Sequence, residues 1–395
     1  MDPIATPADR MDLVPFSGIR KVFERAKALQ REGRPVVFME TGRPDFDTPA
    51  HIKEAAKRAL DAGHVHYTSN FGIPELRAAI VEKLKRENGL DYDPDSEVLV
   101  TVGAAEAIFD AFLAFLNPGD EVLFPEPSWL NYAAAARIAE AVPVPMPLRE
   151  ENRYQIDPDE VEALITPRTK ILVVVTPHNP TGAVQSLEVL ERLAAIALKH
   201  NLIVVSDEIY ERITYDGLTH VSMASFDGLR ERTVLVNGFS KAYSMTGWRL
   251  GYVAAPTSMV QAMNRVHQYN VACACSFAQE GAVAALRGPQ DCVSHMVEEF
   301  RRRRDLVIGA LCEIPRLSCV TPGGAFYVFV NVTGLGMTSE TFCTELLERQ
   351  YVSSVPGPVF GTSGRGYARF SYATSYEALE DAMGRLRSFC DQVSA

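Results

Sequence analysis

Lys241 and Arg249 are the two residues of this chain whose types and spacing most directly suggest chemistry. They lie in the stretch N-G-F-S-K-A-Y-S-M-T-G-W-R-L-G-Y, residues 237–252, which follows a short apolar run at Thr233–Val236. An amine and a guanidinium held together by a small-residue loop can serve one ligand that carries both an aldehyde and a phosphate. The amine condenses with the aldehyde as a Schiff base, and the planar guanidinium fork grips the phosphate. Pyridoxal phosphate has both groups. Taken alone, the same pair could also be a solvated Lys and Arg on a surface helix.

Other segments bear on the choice. Ligands of parallel α/β sheets gather beyond the carboxyl ends of the strands, so the residues just past each apolar run are the ones to inspect. After Val98–Val102 comes Gly103-Ala104-Ala105, small residues that let backbone amides approach an anion where a helix begins. After Ile171–Val175 comes T-P-H-N-P-T-G, residues 176–182, whose prolines fix a bend and could present the Asn179 amide to a ring oxygen. After Leu202–Ser206 comes Asp207-Glu-Ile-Tyr210. A carboxylate there can pair with a protonated pyridine nitrogen, as an electron-sink cofactor requires. Tyr210 could donate to the ring oxygen, and Glu208 is read as a neighbour without a chemical role. The structural alternative is an Asp capping a helix and a packed Tyr.

Two more positions complete the set. Trp129, one of two tryptophans, follows the run at Glu121–Phe124 and could stack on a planar ring; a core Trp is the alternative. Arg369 sits in the strand-like Y-A-R-F-S-Y-A, residues 367–373. An inward-facing arginine is costly unless it meets a carboxylate. A substrate α-carboxylate would satisfy it, and so would a carboxylate of the protein.

These residues need a scaffold that brings strand ends together. The middle of the chain alternates β-branched runs with helical patterns at Ala104–Leu116, Leu187–His200 and Met259–His267. Continuous apolar strands separated by helices predict an α/β fold with a mostly parallel sheet covered on both faces. The ends differ. Helical patterns at Ser17–Arg31, Cys292–Cys312, Ser339–Arg349 and Glu377–Asp391, with short strands at Ala325–Asn331 and Ala368–Tyr372, predict a smaller α+β domain built from both chain ends. The expected division is residues 1–45 joining the small domain, 46–284 forming the large one and 285–395 returning to the small one.

Bulk properties exclude several classes. At 395 residues the chain exceeds one typical core. A net charge of −11 argues against nucleic acid as a partner. The basic run Arg301–Arg304 follows Glu298 and Glu299 in a helical pattern and reads as a solvated face. Seven cysteines without C-x-x-C make neither a disulfide framework nor a usual zinc pattern, so reduced thiols and a cytoplasmic setting are expected, with no metal. Met1–Asp12 carries three aspartates and no signal-peptide core, and no run approaches about 18 apolar residues, so no membrane span is expected.

With these motifs in consistent order from Ser17-Gly-Ile-Arg-Lys21 and T-G-R-P-D-F-D (41–47) to S-Y-A-T (371–374), the chain resembles the class I and II, fold-type I aminotransferases. It is most similar to their prokaryotic aspartate/aromatic branch. The resemblance implies pyridoxal phosphate bound to Lys241, Asp207 on the pyridine nitrogen, and Asn179 and Tyr210 on the ring oxygen. It also implies Trp129 stacked on the ring, Arg249, Ser240 and the Gly103–Ala105 turn at the phosphate, and Arg369 with Gly42 and Asn179 at the substrate. A homodimer is implied as well, with Tyr67 of H-Y-T-S-N-F-G (66–72) reaching the partner's phosphate. The implied reaction moves an α-amino group from an L-amino acid to a 2-oxo acid. Lyase, γ-substitution, cyclisation and oxidase chemistry use the same cofactor motifs, and a regulatory ligand-binding role on this scaffold is a further alternative. Two departures stand out. Gly238 occupies a position where many relatives have a hydroxyl, and Arg43 reverses a common glutamate at what reads as a peripheral position. No arginine for an acidic side chain is found around residues 266–275.

Overall fold

A computed structural model describes residues 6–394; the first five residues of the Met1–Asp12 stretch lie outside it. The chain forms an α/β architecture around one large sheet. Its strands are β1 (Val98–Thr101), β2 (Glu121–Glu126), β3 (Val142–Pro147), β4 (Thr169–Val175), β5 (Ile203–Asp207), β6 (Thr233–Gly238) and β7 (Gly251–Ala254). They run in the order β1-β7-β6-β5-β4-β2-β3. β2 pairs in parallel with β3 and β4, and β4–β5 and β5–β6 are also parallel. Only β7 is antiparallel to its neighbours, β1 and β6. The central strands are buried along almost their whole length because helices cover both faces, which is why they read as unbroken apolar runs.

Register decides where the chemistry collects. Val175 of β4 lies opposite Asp207 of β5, and Asp207 lies opposite Val236 of β6. The residues that follow these three strands therefore emerge side by side. At the other flank Thr101 of β1 lies opposite Gly251 of β7, which brings the Gly103–Ala105 turn beside the loop carrying Arg249.

A second, four-stranded antiparallel sheet consists of β8 (Ser318–Cys319), β9 (Tyr327–Asn331), β10 (Val355–Pro356) and β11 (Tyr367–Ser371), ordered β10-β11-β9-β8. Both chain ends contribute to its surroundings. Val37 bridges to Val352, and Val37 and Met39 share one apolar core with Val328, Val330, Ala368 and Phe370. Because side chains alternate along a strand, Arg369 faces away from that core, on the side of Phe329 and Tyr367, which pack with large-sheet residues.

Several elements depart from the sequence reading. β3, V-P-V-P-M-P, is an edge strand that the pattern did not show. Its three prolines are tolerated there because one side has no neighbour to receive an N–H. The helices Asn131–Ile138, Pro158–Leu164 and Ser276–Arg287 were likewise not foreseen. The Arg301–Arg304 run is only half a solvated face. Arg301 and Arg302 pair with Glu298 and Glu299, whereas Arg303 and Arg304 are buried and bind Asp45 at 2.7 Å and Asp216 at 2.6 Å. Four consecutive residues sweep round the Asp291–Cys312 helix, so they cannot all face solvent. All seven cysteines are free thiols. Among the described residues no helix is long and apolar enough to cross a membrane.

Candidate active site

A cavity of about 400 Å³ opens where the ends of β4, β5 and β6 meet the loop after β1 and the small sheet. Lys241 stands at one wall, three residues past the end of β6. Its amine donates to the Gly42 carbonyl and lies 5.5 Å from the centre of the Tyr210 ring. Desolvation, and then the positive charges of Arg369 and Arg249, depress its pKa to about 8, against the opposing pull of Asp207. A lysine so placed is a usable nucleophile and proton carrier near neutral pH.

Asp207 ends β5 and is buried. Its Oδ2 accepts from the Tyr132 hydroxyl at 2.6 Å and its Oδ1 from the Ile209 N–H at 3.2 Å. Burial pushes its pKa up and those two bonds hold it down. A cationic N–H facing it from the cavity would complete the balance.

Arg249 adopts a left-handed backbone conformation, φ 54°, and donates to the carbonyls of Thr246 at 3.1 Å and Val102 at 3.4 Å. Its guanidinium therefore sits against the start of the Ala104–Phe115 helix. Gly103 permits this in two ways. Its φ is +81°, and a Cβ there would stand 2.4 Å from Arg249 Nη2. A guanidinium beside a helix N-terminus is an anion site by construction.

Arg369 is 1% exposed. Its Nη2 donates to the Glu40 carbonyl at 2.6 Å and its Nη1 to Asn179 Oδ1 at 3.0 Å, while its Nε is buried without a partner. Tyr327 and Phe360 rings flank it at 4.5 and 4.8 Å. Among the described residues no carboxylate pairs with it, so the alternative of an internal salt bridge is not what holds it here. Burial accordingly lowers its pKa.

The structure thus brings together Gly42, Ala104, Ala105, Trp129, Asn179, Asp207, Tyr210, Ser240, Lys241, Arg249 and Arg369 around one cavity. Gly103 stands just behind, against Arg249. Tyr67 does not reach the cavity of its own chain and is 88% exposed. Arg43, read from the sequence as peripheral, is exposed and lines the rim of the same cavity beside Gly42.

The sequence profile of the family described as aminotransferase class I and II matches residues 34–386. This chain belongs to that family. The aspartate aminotransferase of Pyrococcus abyssi is 47% identical over 381 residues, 96% of this chain and 97% of that protein. The aromatic-amino-acid aminotransferase 2 of Thermococcus litoralis is 45% identical over 381 residues, 96% of this chain and 97% of its own. In three dimensions the aspartate aminotransferase of Rhizobium meliloti superposes with a TM-score of 0.94 at 41% identity, covering 98% of this chain and 99% of that one.

Two residues that line the cavity, Tyr132 and Tyr327, escaped the sequence reading. Tyr132 is held by the helix that begins at Asn131, and its ring meets that of Trp129, which precedes the helix, edge-on at 5.8 Å. Tyr327 bonds the Tyr210 hydroxyl at 2.8 Å. In the run A-F-Y-V-F-V-N nothing distinguishes it from an ordinary core aromatic. Glu208, read as a neighbour of Asp207, is buried and bound by Ser206, His220 and Ser222, outside the cavity lining.

Proposed function

We propose that this aminotransferase binds pyridoxal phosphate, its family's cofactor, at Lys241 and uses it to move the α-amino group of an amino acid to a 2-oxo acid. The residues present fit that group. Arg249, Ser240 and the Ala104–Ala105 amides would hold its phosphate, Asp207 its ring nitrogen, Asn179 Nδ2 and Tyr210 its ring oxygen, and Trp129 its face. When bound, the cofactor supplies an electron sink that makes the substrate Cα–H acidic.

The chain's own groups do the rest. Asp207, whose carboxylate accepts from the Tyr132 hydroxyl, would face the ring nitrogen and stabilise positive charge there. Lys241 Nζ, once freed, takes the α-proton, which its depressed pKa favours. Arg369 orients the substrate through its α-carboxylate with the Gly42 backbone close by, and its guanidinium with an unpartnered Nε is the observation that carries this reading.

The cavity holds four cations, Arg43, Lys241, Arg249 and Arg369, against the single carboxylate of Asp207. A cofactor phosphate and a substrate α-carboxylate account for Arg249 and Arg369. Arg43, which has no ion pair or side-chain hydrogen bond among the described residues, is then placed to favour an acidic substrate side chain, while Ile19 and Trp129 offer apolar surface. We read the enzyme as a cytoplasmic homodimer. The exposed Tyr67 is available to a partner's site, and the free thiols suit a reducing compartment.

The decisive test is turnover with an amino acid alone. Transamination gives one equivalent of 2-oxo acid per site and stops, then resumes when a different 2-oxo acid is added. Sustained product formation without an oxo acid would reject transamination and favour elimination, substitution or oxidation.

A further inference from the structure

The geometry points to a buried divalent-cation site formed by Glu106, Asp110 and His267, between the Ala104–Phe115 and Thr257–Asn270 helices and outside the catalytic cavity. Glu106 and Asp110 are one turn apart on the first helix, and His267 reaches them from the second. Their candidate ligand atoms all lie within 4.8 Å of one another.

Three observations carry the proposal. First, the cluster is sealed from water: Asp110 and His267 are 0% exposed and Glu106 is 9% exposed. Second, it is unsatisfied. Both carboxylate oxygens of Asp110, both ring nitrogens of His267 and Glu106 Oε1 are buried without a hydrogen-bond partner. Buried polar groups are almost always paired, so five orphans at one point call for a missing partner. Third, the spacing is too long for ion pairs, and the shorter of the two contacts matches the separation of two ligands on one ion. His267 Nδ1 lies 3.3 Å from Glu106 Oε1 and 3.9 Å from Asp110 Oδ2. Charge-assisted hydrogen bonds run at about 2.7–2.9 Å. Ligands bonded to one tetrahedral ion at about 2.0–2.2 Å stand roughly 3.3–3.6 Å apart.

A second acidic cluster shows the contrast. Glu208, Glu211 and His220 also converge, but there the carboxylates already accept from Ser206, Ser222, His220, Asn88 and Lys83. No cation is required. At the proposed site the alternative to a cation is a proton: burial and the neighbouring Glu106 push Asp110 up to about 8. A doubly charged ion would keep both carboxylates ionised and the imidazole neutral, leaving the cluster without net charge. One imidazole and two carboxylates suit Zn²⁺ or Co²⁺.

The site has a consequence for its surroundings. Glu106 Oε2 accepts the Val102 N–H, and the Val102 carbonyl receives Arg249. A cation on the other Glu106 oxygen would brace the turn on which the anion site is built, as outer partners of metal ligands commonly do.

The test uses the untagged, full-length holoenzyme expressed with ZnCl₂, dialysed free of loose metal and analysed by mass spectrometry. Wild type should carry one Zn²⁺ per chain more than Asp110→Asn or His267→Gln, which cancels any zinc on exposed thiols. Wild type refolded with Co²⁺ should show the visible d–d bands of an N/O site, a reading that needs no variant to fold. Zn²⁺ should raise the Tm of wild type refolded without metal. Equal metal content in all three proteins, with no cobalt spectrum and no Tm shift, would overturn the site and leave a proton-sharing triad.

Discussion

Arg369 Nη1 lies 3.0 Å from Asn179 Oδ1, which joins the small sheet to the loop after β4 of the large one. One amide therefore orients the guanidinium and keeps its own N–H₂ free for the cavity. Replacing Arg369 by Leu should cost about 2–5 kcal/mol of transition-state binding, the usual loss when one partner of a buried charged pair is removed. That is roughly 30- to several-thousand-fold in kcat/KM. Cofactor affinity should change little. Unaltered kcat/KM in steady-state assays would return Arg369 to a structural role.

Lys241→Ala should abolish the covalent attachment and the yellow colour of the protein. Borohydride reduction of wild type followed by peptide mapping should label Lys241 alone. Label on another lysine would refute the assignment.

The amine of Lys241 gives a pH dependence with a definite sign. Its pKa in the folded protein is about 8 against an ordinary 10.5. Between those values the unfolded chain holds a proton that the folded chain does not, so stability of the cofactor-free protein rises with pH across that window. The cost of burying the cation is fully present below about 8. Cofactor capture, followed by stopped-flow absorbance, should accelerate as pH rises through about 8 and then level off. An inflection above pH 10 would contradict the site's electrostatics.

Tyr132→Phe removes the only side-chain donor to Asp207 Oδ2 among the described residues. Asp207 should then protonate more readily, and cofactor binding should weaken by about 1.5–3 kcal/mol, the range for a hydrogen bond to a charged group. Equilibrium titration of the variant measures this directly. Affinity equal to wild type would mean that Tyr132 only packs.

Arg43→Leu should lower kcat/KM for acidic amino acids by about tenfold or more while sparing aromatic ones, since a rim charge acts mainly on its own counter-charge. A uniform change across substrates would remove Arg43 from specificity.

Mixing Tyr67→Ala with Lys241→Ala chains should restore part of the activity that each lacks alone, because a hybrid dimer has one site free of both changes. A monomer with full activity in sedimentation would end the shared-site reading.

Much of this protein was legible in its sequence because local chemistry and chain order are one-dimensional. Buried parallel strands must be continuously apolar, and their ends are marked by small or polar residues. That exposed Lys241, Asp207, Asn179 and the Gly103–Ala105 turn without coordinates. The strand at Tyr367–Ser371 was also visible, but the surroundings of its arginine were not. Whether Arg369 met a protein carboxylate or an open cavity depended on which face of β11 turned toward the large sheet, and only packing fixes that.

Tertiary structure alone decided the remaining roles. Tyr132 and Tyr327 gained theirs from partners 75 and 117 residues away in the chain, and Arg303 and Arg304 were buried by the rotation of one long helix. Arg43 reached the rim of the cavity through the path of the chain beside Gly42, and Glu106, Asp110 and His267 met only because two helices cross. Residue type and periodicity report what a segment can do and which elements it forms. Which distant side chain satisfies a buried hydroxyl, guanidinium or carboxylate is set by register and packing, since desolvated polar groups take whichever partner the folded chain brings within bonding distance.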